Sequence, residues 1–191
     1  MIRGIIFDCF GVLCHGSLDY LRSIVPLEHL KELNDLSHSS DYGYISDSEY
    51  AEKVGELMGV PGAEVEGIIR AQCIRNEEML NLVKSLRGEC KTALLSNIGR
   101  GRIDKLFTVD ELKGLFDTVV LSSEVGMVKP HVDIYQLTAE RLGLDPSECI
   151  MIDDISVNVD GAVETGMKGL ICADTKQCSE DLLNMLRSQN A

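Results

Sequence analysis

A short apolar stretch near the start of the chain, IIFDCFGVL at positions 5–13, places the strongest constraint on the fold. Its first residues, Ile5 to Phe7, favour a strand covered on both faces, and Gly11 marks a turn after it. Asp8 follows this strand directly. A buried carboxylate is costly unless a cation or hydrogen-bond donors meet it, so the rest of the chain should supply such groups.

Three later apolar runs have the same form, with polar residues near the point where each strand is expected to end. They are TALL at 92–95, TVVL at 118–121 and CIMI at 149–152. Because ligands bind at the carboxyl ends of strands in open parallel sheets, the polar groups near these ends should form one site with Asp8. Those groups are Ser96 and Asn97, then Lys129, then Asp153 and Asp154. A fifth strand is predicted at residues 169–173.

The order and chemistry of these strand ends resemble the four motifs of the haloacid dehalogenase-like hydrolases. The first motif of that family, D-x-D-G-[TV]-[LV], corresponds to DCFGVL at positions 8–13. Ser96 matches the second motif, Lys129 in GMVKP the third, and the pair Asp153-Asp154 the fourth. The resemblance covers nearly the whole chain. It implies an α/β fold: a Rossmann-like core with a parallel sheet flanked by helices, and a small α-helical cap domain.

The segment between the first and second strands is the expected cap. Residues 14–76 interrupt the strand pattern and predict helices at 27–36, 47–58 and 63–74, with a capping-box pattern at Ser46 and Glu49. We therefore expect residues 14–76 to form the cap, and residues 1–13 and 77–191 to form the catalytic core. The segment 99–106 reads as a loop and helix. Candidate substrate contacts are His15, Arg22, His38, Tyr42, Tyr44, Arg100 and Arg102.

The resemblance also implies a role for each motif residue. Asp8 would be the nucleophile, attacking phosphorus and holding the phosphoryl group as an aspartyl phosphate. Ser96 and the backbone N–H of Asn97 would bind phosphoryl oxygens, and Lys129 would offset negative charge as a compact cation. Mg²⁺, which prefers oxygen ligands, is the implied cofactor. Its implied ligands are Asp8, the Phe10 carbonyl group, Asp154 and Asp153, the last acting through a water or by orienting Lys129.

One position departs from the phosphatase pattern. Phe10 stands where the family has a second aspartate, which protonates the leaving group and then activates water. Phenylalanine cannot move a proton, and such general acid–base help is typically worth about 10²–10⁴-fold in rate. Three interpretations follow: another acid acts instead, with His15 the first candidate; the leaving group needs little protonation; or the protein is a slow or inactive relative.

The motifs together favour a Mg²⁺-dependent phosphatase acting on a small phosphorylated metabolite. The chain resembles most a subset of the family with a small helical cap, a non-acidic residue in place of the second aspartate, and an Asp-Asp fourth motif. That subset includes phosphatases for sugar phosphates such as α-glucose 1-phosphate, so a sugar phosphate is the favoured substrate. A 2-haloacid dehalogenase and a catalytically weak binding or regulatory protein are the alternatives.

Composition limits the partners and the setting of the chain. A net charge of −13 over 191 residues disfavours nucleic acid and anionic membranes as partners and leaves a small phosphate ester. Seven cysteines without a C-x-x-C pair indicate a reducing compartment rather than a disulfide framework. With no visible signal segment or membrane span, we expect a cytoplasmic protein. The sequence carries no indication of its oligomeric state.

Overall fold

The structure, a computed structural model, describes residues 1–188 and contains within them a five-stranded parallel sheet. The strands are β1 (Gly4–Phe7), β2 (Lys91–Ser96), β3 (Thr118–Leu121), β4 (Cys149–Asp153) and β5 (Lys168–Ile171). Their order across the sheet is β3-β2-β1-β4-β5, so β1 is central. The sequence predicts all five strands, and the expected α/β fold is confirmed.

Ten α-helices connect and cover the strands in the part of the chain that the structure describes. They are α1 (Leu18–Ile24), α2 (Leu30–Asp41), α3 (Asp47–Met58), α4 (Gly62–Gln72), α5 (Glu77–Leu86), α6 (Val109–Leu115), α7 (Ser122–Val125), α8 (Val132–Leu142), α9 (Ser156–Glu164) and α10 (Thr175–Arg187). Short 3₁₀ helices occur at Leu27–His29, Ile103–Lys105 and Pro146–Glu148.

The helix predictions are correct where the apolar pattern is long and wrong where it is short. Helix α3 has the predicted bounds, and its capping box between Ser46 and Glu49 is present. Sequence periodicity misses α1 and α6, which have seven residues each and bury only Leu21 and Leu115, respectively. The helix expected within 99–106 is reduced to the 3₁₀ turn Ile103–Lys105. Two turns are too short for the helical period to be recognised in sequence.

Apolar residues on both faces of the sheet make a three-layer core. Along β1, Ile5 and Phe7 join one apolar cluster and Ile6 joins the other, as the alternation of side chains along a strand requires. Helices α5, α6 and α10 cover the first face, and α8 and α9 cover the second. The central strand is therefore buried on both sides and ends in the interior of the protein.

The helices between β1 and β2 have an apolar cluster of their own. It is built from residues of α1 to α4 and from Val25, and its buried members are Leu21, Val25, Leu33, Tyr50, Ala51, Val54, Val65 and Ile69. Asp47 links this cluster to the sheet domain, because its carboxylate pairs with Arg102 at 2.6 Å and with Lys105 at 2.7 Å. This segment corresponds to the expected cap, and its division from the core at residues 13 and 76 stays a prediction.

None of the helices within residues 1–188 combines the length and apolar character that a membrane span requires. All seven cysteines are free thiols. The cytoplasmic location stays a prediction.

The close approach of α9 to the segment after Lys129 gives a test of this packing. A Cβ atom on Gly161 would lie 2.4 Å from the carbonyl oxygen of Pro130, whereas a Cβ atom on Gly67, in α4, would meet nothing within 4 Å. We expect Gly161→Ala to lower the free energy of unfolding by about 1–2 kcal/mol, because overpacking outweighs the better helix propensity of alanine. The measurement is urea-induced unfolding.

The matched control is Gly67→Ala, which we expect to raise the free energy of unfolding by about 0.5–1 kcal/mol through helix propensity alone. Equal stabilisation by both substitutions would contradict the tight contact between α9 and Pro130.

Candidate active site

The register of β1 and β4 brings two carboxylates side by side at the carboxyl edge of the sheet. Phe7 pairs with Ile152, and the backbone N–H of Asp8 donates to the Ile152 carbonyl at 2.9 Å. Asp8 and Asp153 are therefore the next residues along two neighbouring parallel strands. Both are buried, with 5% and 0% of their surface exposed. Two carboxylates in such a place need a cation to offset their charge.

Lys129 supplies that cation. Its Nζ atom lies 2.8 Å from Oδ1 of Asp8 and 2.5 Å from Oδ2 of Asp153, and its side chain is 1% exposed. Burial disfavours the charged ammonium group, but the two carboxylates outweigh burial and raise the pKa of Lys129. Burial raises the pKa of Asp8 to about 7, with a further contribution from Asp153, against the opposing effect of Lys129. The three groups thus form one buried ionic cluster.

Asp153 is held by donors on both of its oxygens. Besides Lys129, the side-chain amide of Asn158 donates to Oδ1 at 3.0 Å and to Oδ2 at 3.2 Å, and the N–H of Ile155 donates to Oδ1 at 2.9 Å. The carboxylate is therefore fixed in orientation and its charge is spread over several donors. This arrangement suits a residue that positions Lys129.

Asp154 completes a group of three carboxylates and faces the solvent side of the site. Within the described residues, one oxygen each of Asp8, Asp153 and Asp154 lie within 4.8 Å of one another. The turn after β1 makes room for this approach, since Gly11 has φ +85° and a Cβ atom there would lie 2.2 Å from the Asp154 carboxylate. Carboxylate oxygens at this spacing are the donor type that Mg²⁺ prefers, so the residues present fit the ion that the sequence predicts.

Asn97 contacts Lys129 through its side chain. Its Oδ1 accepts the N–H of Lys129 at 2.8 Å, and its Nδ2 donates to the Lys129 carbonyl at 3.0 Å. This reciprocal pair fixes the backbone of the segment that carries the lysine. Ser96 is fully buried at the end of β2, and its hydroxyl group lies 3.4 Å from the Asn97 carbonyl.

A cavity of about 450 Å³ opens in front of these groups. Ser96 and Asp153 are not among the residues that line it. The other five predicted site residues do line it, and they are Asp8, Phe10, Asn97, Lys129 and Asp154. Of the predicted substrate contacts, three line the cavity, namely His15, Arg22 and Arg102. The other four, which are His38, Tyr42, Tyr44 and Arg100, do not.

Sequence reasoning missed a group of polar residues on the helical side of the cavity. They lie on α2 and α3, and they are Ser37, Ser40, Asp41 and Tyr50. These helices carry many polar residues, and no motif separates a cavity-facing serine or aspartate from a solvated one. Only the three-dimensional path of α2 over the carboxyl edge of the sheet identifies them.

Comparison with known families agrees with the motifs and the geometry. The sequence model of the haloacid dehalogenase-like hydrolases matches residues 2–166. The chain therefore belongs to the haloacid dehalogenase-like hydrolase family.

Curated relatives match this chain over part of their length. A phosphatase from Mycobacterium tuberculosis is 34% identical over 80 residues, which is 42% of this chain and 37% of the relative. Fructose-1-phosphate phosphatase from Escherichia coli is 28% identical over 89 residues, or 47% of each protein. Rat bifunctional epoxide hydrolase 2 is 32% identical over 79 residues, which cover 41% of this chain but only 14% of the relative. The chain thus spans less than half of these proteins.

Solved structures share the fold over nearly the whole chain. A predicted HAD-like hydrolase from Porphyromonas gingivalis has a TM-score of 0.80 at 24% identity, covering 98% of both chains. A HAD family enzyme from Bacteroides thetaiotaomicron, in complex with magnesium and inorganic phosphate, has a TM-score of 0.74 at 22% identity, covering 90% and 94%. L-2-haloacid dehalogenase from Xanthobacter autotrophicus has a TM-score of 0.62 at 19% identity, covering 88% and 76%. At sequence identities of 19% to 24%, these structural similarities establish the fold alone.

The buried ionic cluster predicts a strong, pH-dependent effect of removing its cation. We expect Lys129→Met, in EDTA at about pH 8, to lower the free energy of unfolding by about 3–5 kcal/mol, because two buried carboxylates lose their counter-charge. The pKa of Asp8 is already raised in the folded state, so its ionisation opposes folding as pH rises through about 7. The loss should therefore shrink at about pH 5.5, where Asp8 is protonated.

Urea-induced unfolding at the two pH values provides the measurement. Lys53→Met, on the exposed side of α3, serves as the control and should change stability by less than about 0.5 kcal/mol. The double variant Asp8→Asn/Lys129→Met should be less destabilised than Lys129→Met. A loss that is the same at both pH values would contradict the cluster.

Proposed function

We propose that the protein is a Mg²⁺-dependent phosphatase that hydrolyses a small phosphorylated metabolite through an aspartyl phosphate on Asp8. One observation carries this proposal: Lys129 bridges Asp8 and Asp153 at the base of a cavity, and Asp154 adds a third carboxylate within 4.8 Å. A nucleophilic carboxylate, a fixed cation and a set of oxygen ligands for a divalent ion are the groups that phosphoryl transfer needs.

Asp8 and Asp154 are the proposed direct protein ligands of Mg²⁺, with the backbone carbonyl of Phe10 as a third. Both carboxylates line the cavity. Asp153 is better suited to orient Lys129, because donors already occupy both of its oxygens. When bound, the ion would offset negative charge on the phosphoryl group and favour the ionised form of Asp8. The Bacteroides thetaiotaomicron relative with magnesium and phosphate supports this choice of ion.

The residues of this chain have separate roles in the proposed reaction. The free oxygen of Asp8 attacks phosphorus, while its Oδ1 is held by the N–H of Cys9 at 2.6 Å and by Lys129. Lys129 also offsets the charge of the phosphoryl oxygens, and Asn97 keeps its backbone in place. Ser96 and the Asn97 N–H remain the proposed donors to a phosphoryl oxygen. Water then hydrolyses the aspartyl phosphate and releases phosphate.

A sugar phosphate is the proposed substrate within this class. The cavity continues from Asp8 toward the hydroxyl, carboxyl and guanidinium groups of the helical segment, which are the partners that a polyhydroxylated leaving group needs. The similarity to fructose-1-phosphate phosphatase of Escherichia coli points to the same substrate class.

The dehalogenase alternative has less support from the site. The cluster of Asp8, Asp153 and Asp154 gives the site the ligands of a metal-dependent reaction, which dehalogenation in this family does not use. A dehalogenase would release chloride from a 2-haloacid in EDTA, and a binding protein would turn over neither substrate in the presence of magnesium.

The proposal predicts that activity depends on the carboxylate of Asp8. We expect Asp8→Asn to reduce turnover of p-nitrophenyl phosphate with Mg²⁺ by at least about 10³-fold, because the amide is a far weaker nucleophile. EDTA should remove the activity of the wild-type protein and MgCl₂ should restore it. Release of p-nitrophenol followed by absorbance is the measurement.

Asp35→Asn is the matched control, since Asp35 is an exposed carboxylate that pairs with Lys31 on α2. It should retain wild-type activity. Turnover by Asp8→Asn at the wild-type rate would remove Asp8 as the nucleophile.

A further inference from the structure

The proposed function needs a proton donor for the leaving group, and Phe10 cannot act as one. The geometry of the reaction indicates where in the cavity such a donor is expected. Attack on phosphorus is roughly in line, so the leaving oxygen departs on the side opposite to Asp8. Asp8 lies at the base of the cavity, and residues of α1, α2 and α3 form a helical wall of the same cavity. A residue of that wall is therefore the expected replacement for the acid missing at Phe10.

Asp41 lies on this wall and is held there by the core. It is the last residue of α2 and lines the cavity. Its backbone carbonyl accepts a hydrogen bond from the Ser122 hydroxyl at 2.6 Å, and that hydroxyl accepts the N–H of Ile98 at 2.9 Å. Two residues later, Gly43 approaches the core so closely that a Cβ atom there would lie 2.5 Å from the carbonyl oxygen of Ser123. The end of α2 is thus fixed against the sheet domain.

The carboxyl group of Asp41 is half-buried and free to bind a ligand. No side-chain hydrogen bond or ion pair to it is found among residues 1–188. The neighbouring Ser40 is 3% exposed and lines the same cavity, and its hydroxyl group also has no hydrogen-bond partner. Two adjacent polar side chains without partners, on one wall of a cavity, point to a bound molecule that supplies those partners.

Several charged and titratable groups surround Asp41. Burial raises the pKa of its carboxyl group to about 6, against the opposing effects of Arg102, His38 and Lys129. Tyr50, on α3, also interacts electrostatically with it. Arg102 is paired with Asp47 at 2.6 Å, so its charge is partly neutralised. A carboxyl group that titrates near neutral pH can both give and take a proton at the working pH of an enzyme.

We propose that Asp41 is the general acid–base residue of this phosphatase and performs the proton transfers that Phe10 cannot. The proposal rests on the proposed function. The other proton donors on the cavity wall are less suited. His15 is exposed. Asp19 has a side chain that is 93% exposed and paired with Arg22 at 3.0 Å.

Formation and hydrolysis of the aspartyl phosphate each balance in protons and electrons. In the first, a bond forms between Asp8 and phosphorus, the bond from phosphorus to the leaving oxygen breaks, and the electron pair stays on that oxygen. The protonated Asp41 gives its proton to the oxygen, so the product leaves as a neutral alcohol. In the second, Asp41 takes a proton from water as water attacks phosphorus. The bond to Asp8 breaks and inorganic phosphate leaves.

The test compares leaving groups, because an acid matters most for a poor one. The substrates are substituted phenyl phosphates of increasing leaving-group pKa, ending with an alkyl phosphate, assayed with Mg²⁺. We expect Asp41→Asn to lower kcat/KM for the alkyl phosphate by about 10²–10⁴-fold, and for p-nitrophenyl phosphate by less than about threefold. With p-nitrophenyl phosphate, the variant should release a burst of p-nitrophenol and then turn over slowly, because hydrolysis of the aspartyl phosphate lacks its base.

Three further variants complete the design. Asp35→Asn removes an exposed carboxylate from the same helix as Asp41, outside the cavity, and should change both rates by less than about threefold. Asp41→Glu keeps an acid, so kcat/KM of this variant should still depend only weakly on the pKa of the leaving group. Phe10→Asp in the Asp41→Asn background should restore part of the rate for the alkyl phosphate.

Three results would overturn the role of Asp41: an unchanged dependence on the leaving group in Asp41→Asn, an equal loss across the whole series, or the same selective loss in His15→Gln. A wild-type protein that hydrolyses none of the phosphates would instead overturn the proposed function. Circular dichroism of each variant checks that it is folded.

Discussion

The placement of one ammonium group between two carboxylates is the constraint on which the rest of the site depends. Lys129 lies within 2.8 Å of Asp8 and 2.5 Å of Asp153, with almost no contact with solvent. Desolvation would make any one of these charges strongly unfavourable by itself. The register of β1 and β4, the clamp of Asn97 on the lysine backbone and the donors around Asp153 all serve to keep the three charges together.

A division of roles between the two parts of the cavity follows from this cluster. Under the proposed function, the strand ends would carry the groups that meet the phosphoryl group, and the helical segment would carry the groups that face the leaving group. Phe10 lies among the strand-end groups and cannot transfer a proton. If Asp41 supplies the acid from the helical wall, the proton transfer normally performed two residues after the nucleophile comes instead from the end of a helix far away in sequence.

Short local patterns in the sequence predict the strands and the motif residues of this protein. The strands coincide with short apolar runs, so all five strands and the fold could be predicted, even though β5 at the edge of the sheet is not buried. The motif spacing brought Asp8, Lys129 and the acidic pair to one edge. The residues that α2 contributes to the cavity could not be predicted in this way. Asp41 is one of many acidic residues on polar helices, and its significance depends on Ser122 and Gly43, which fix the end of α2 through contacts between distant parts of the chain.

The attachment of α2 to the core also limits how a molecule can reach Asp8. Ser122 and the tight contact at Gly43 hold the end of α2 against the sheet domain. A substrate therefore cannot enter between the end of α2 and the sheet domain without breaking a contact inside the protein. On α1, Asp19 and Arg22 also line the cavity, are exposed and pair with each other, and Arg22 donates to Asn34 of α2. The exposed charged residues of the cavity lining therefore include two on α1, which makes the α1 side an accessible approach to the nucleophile.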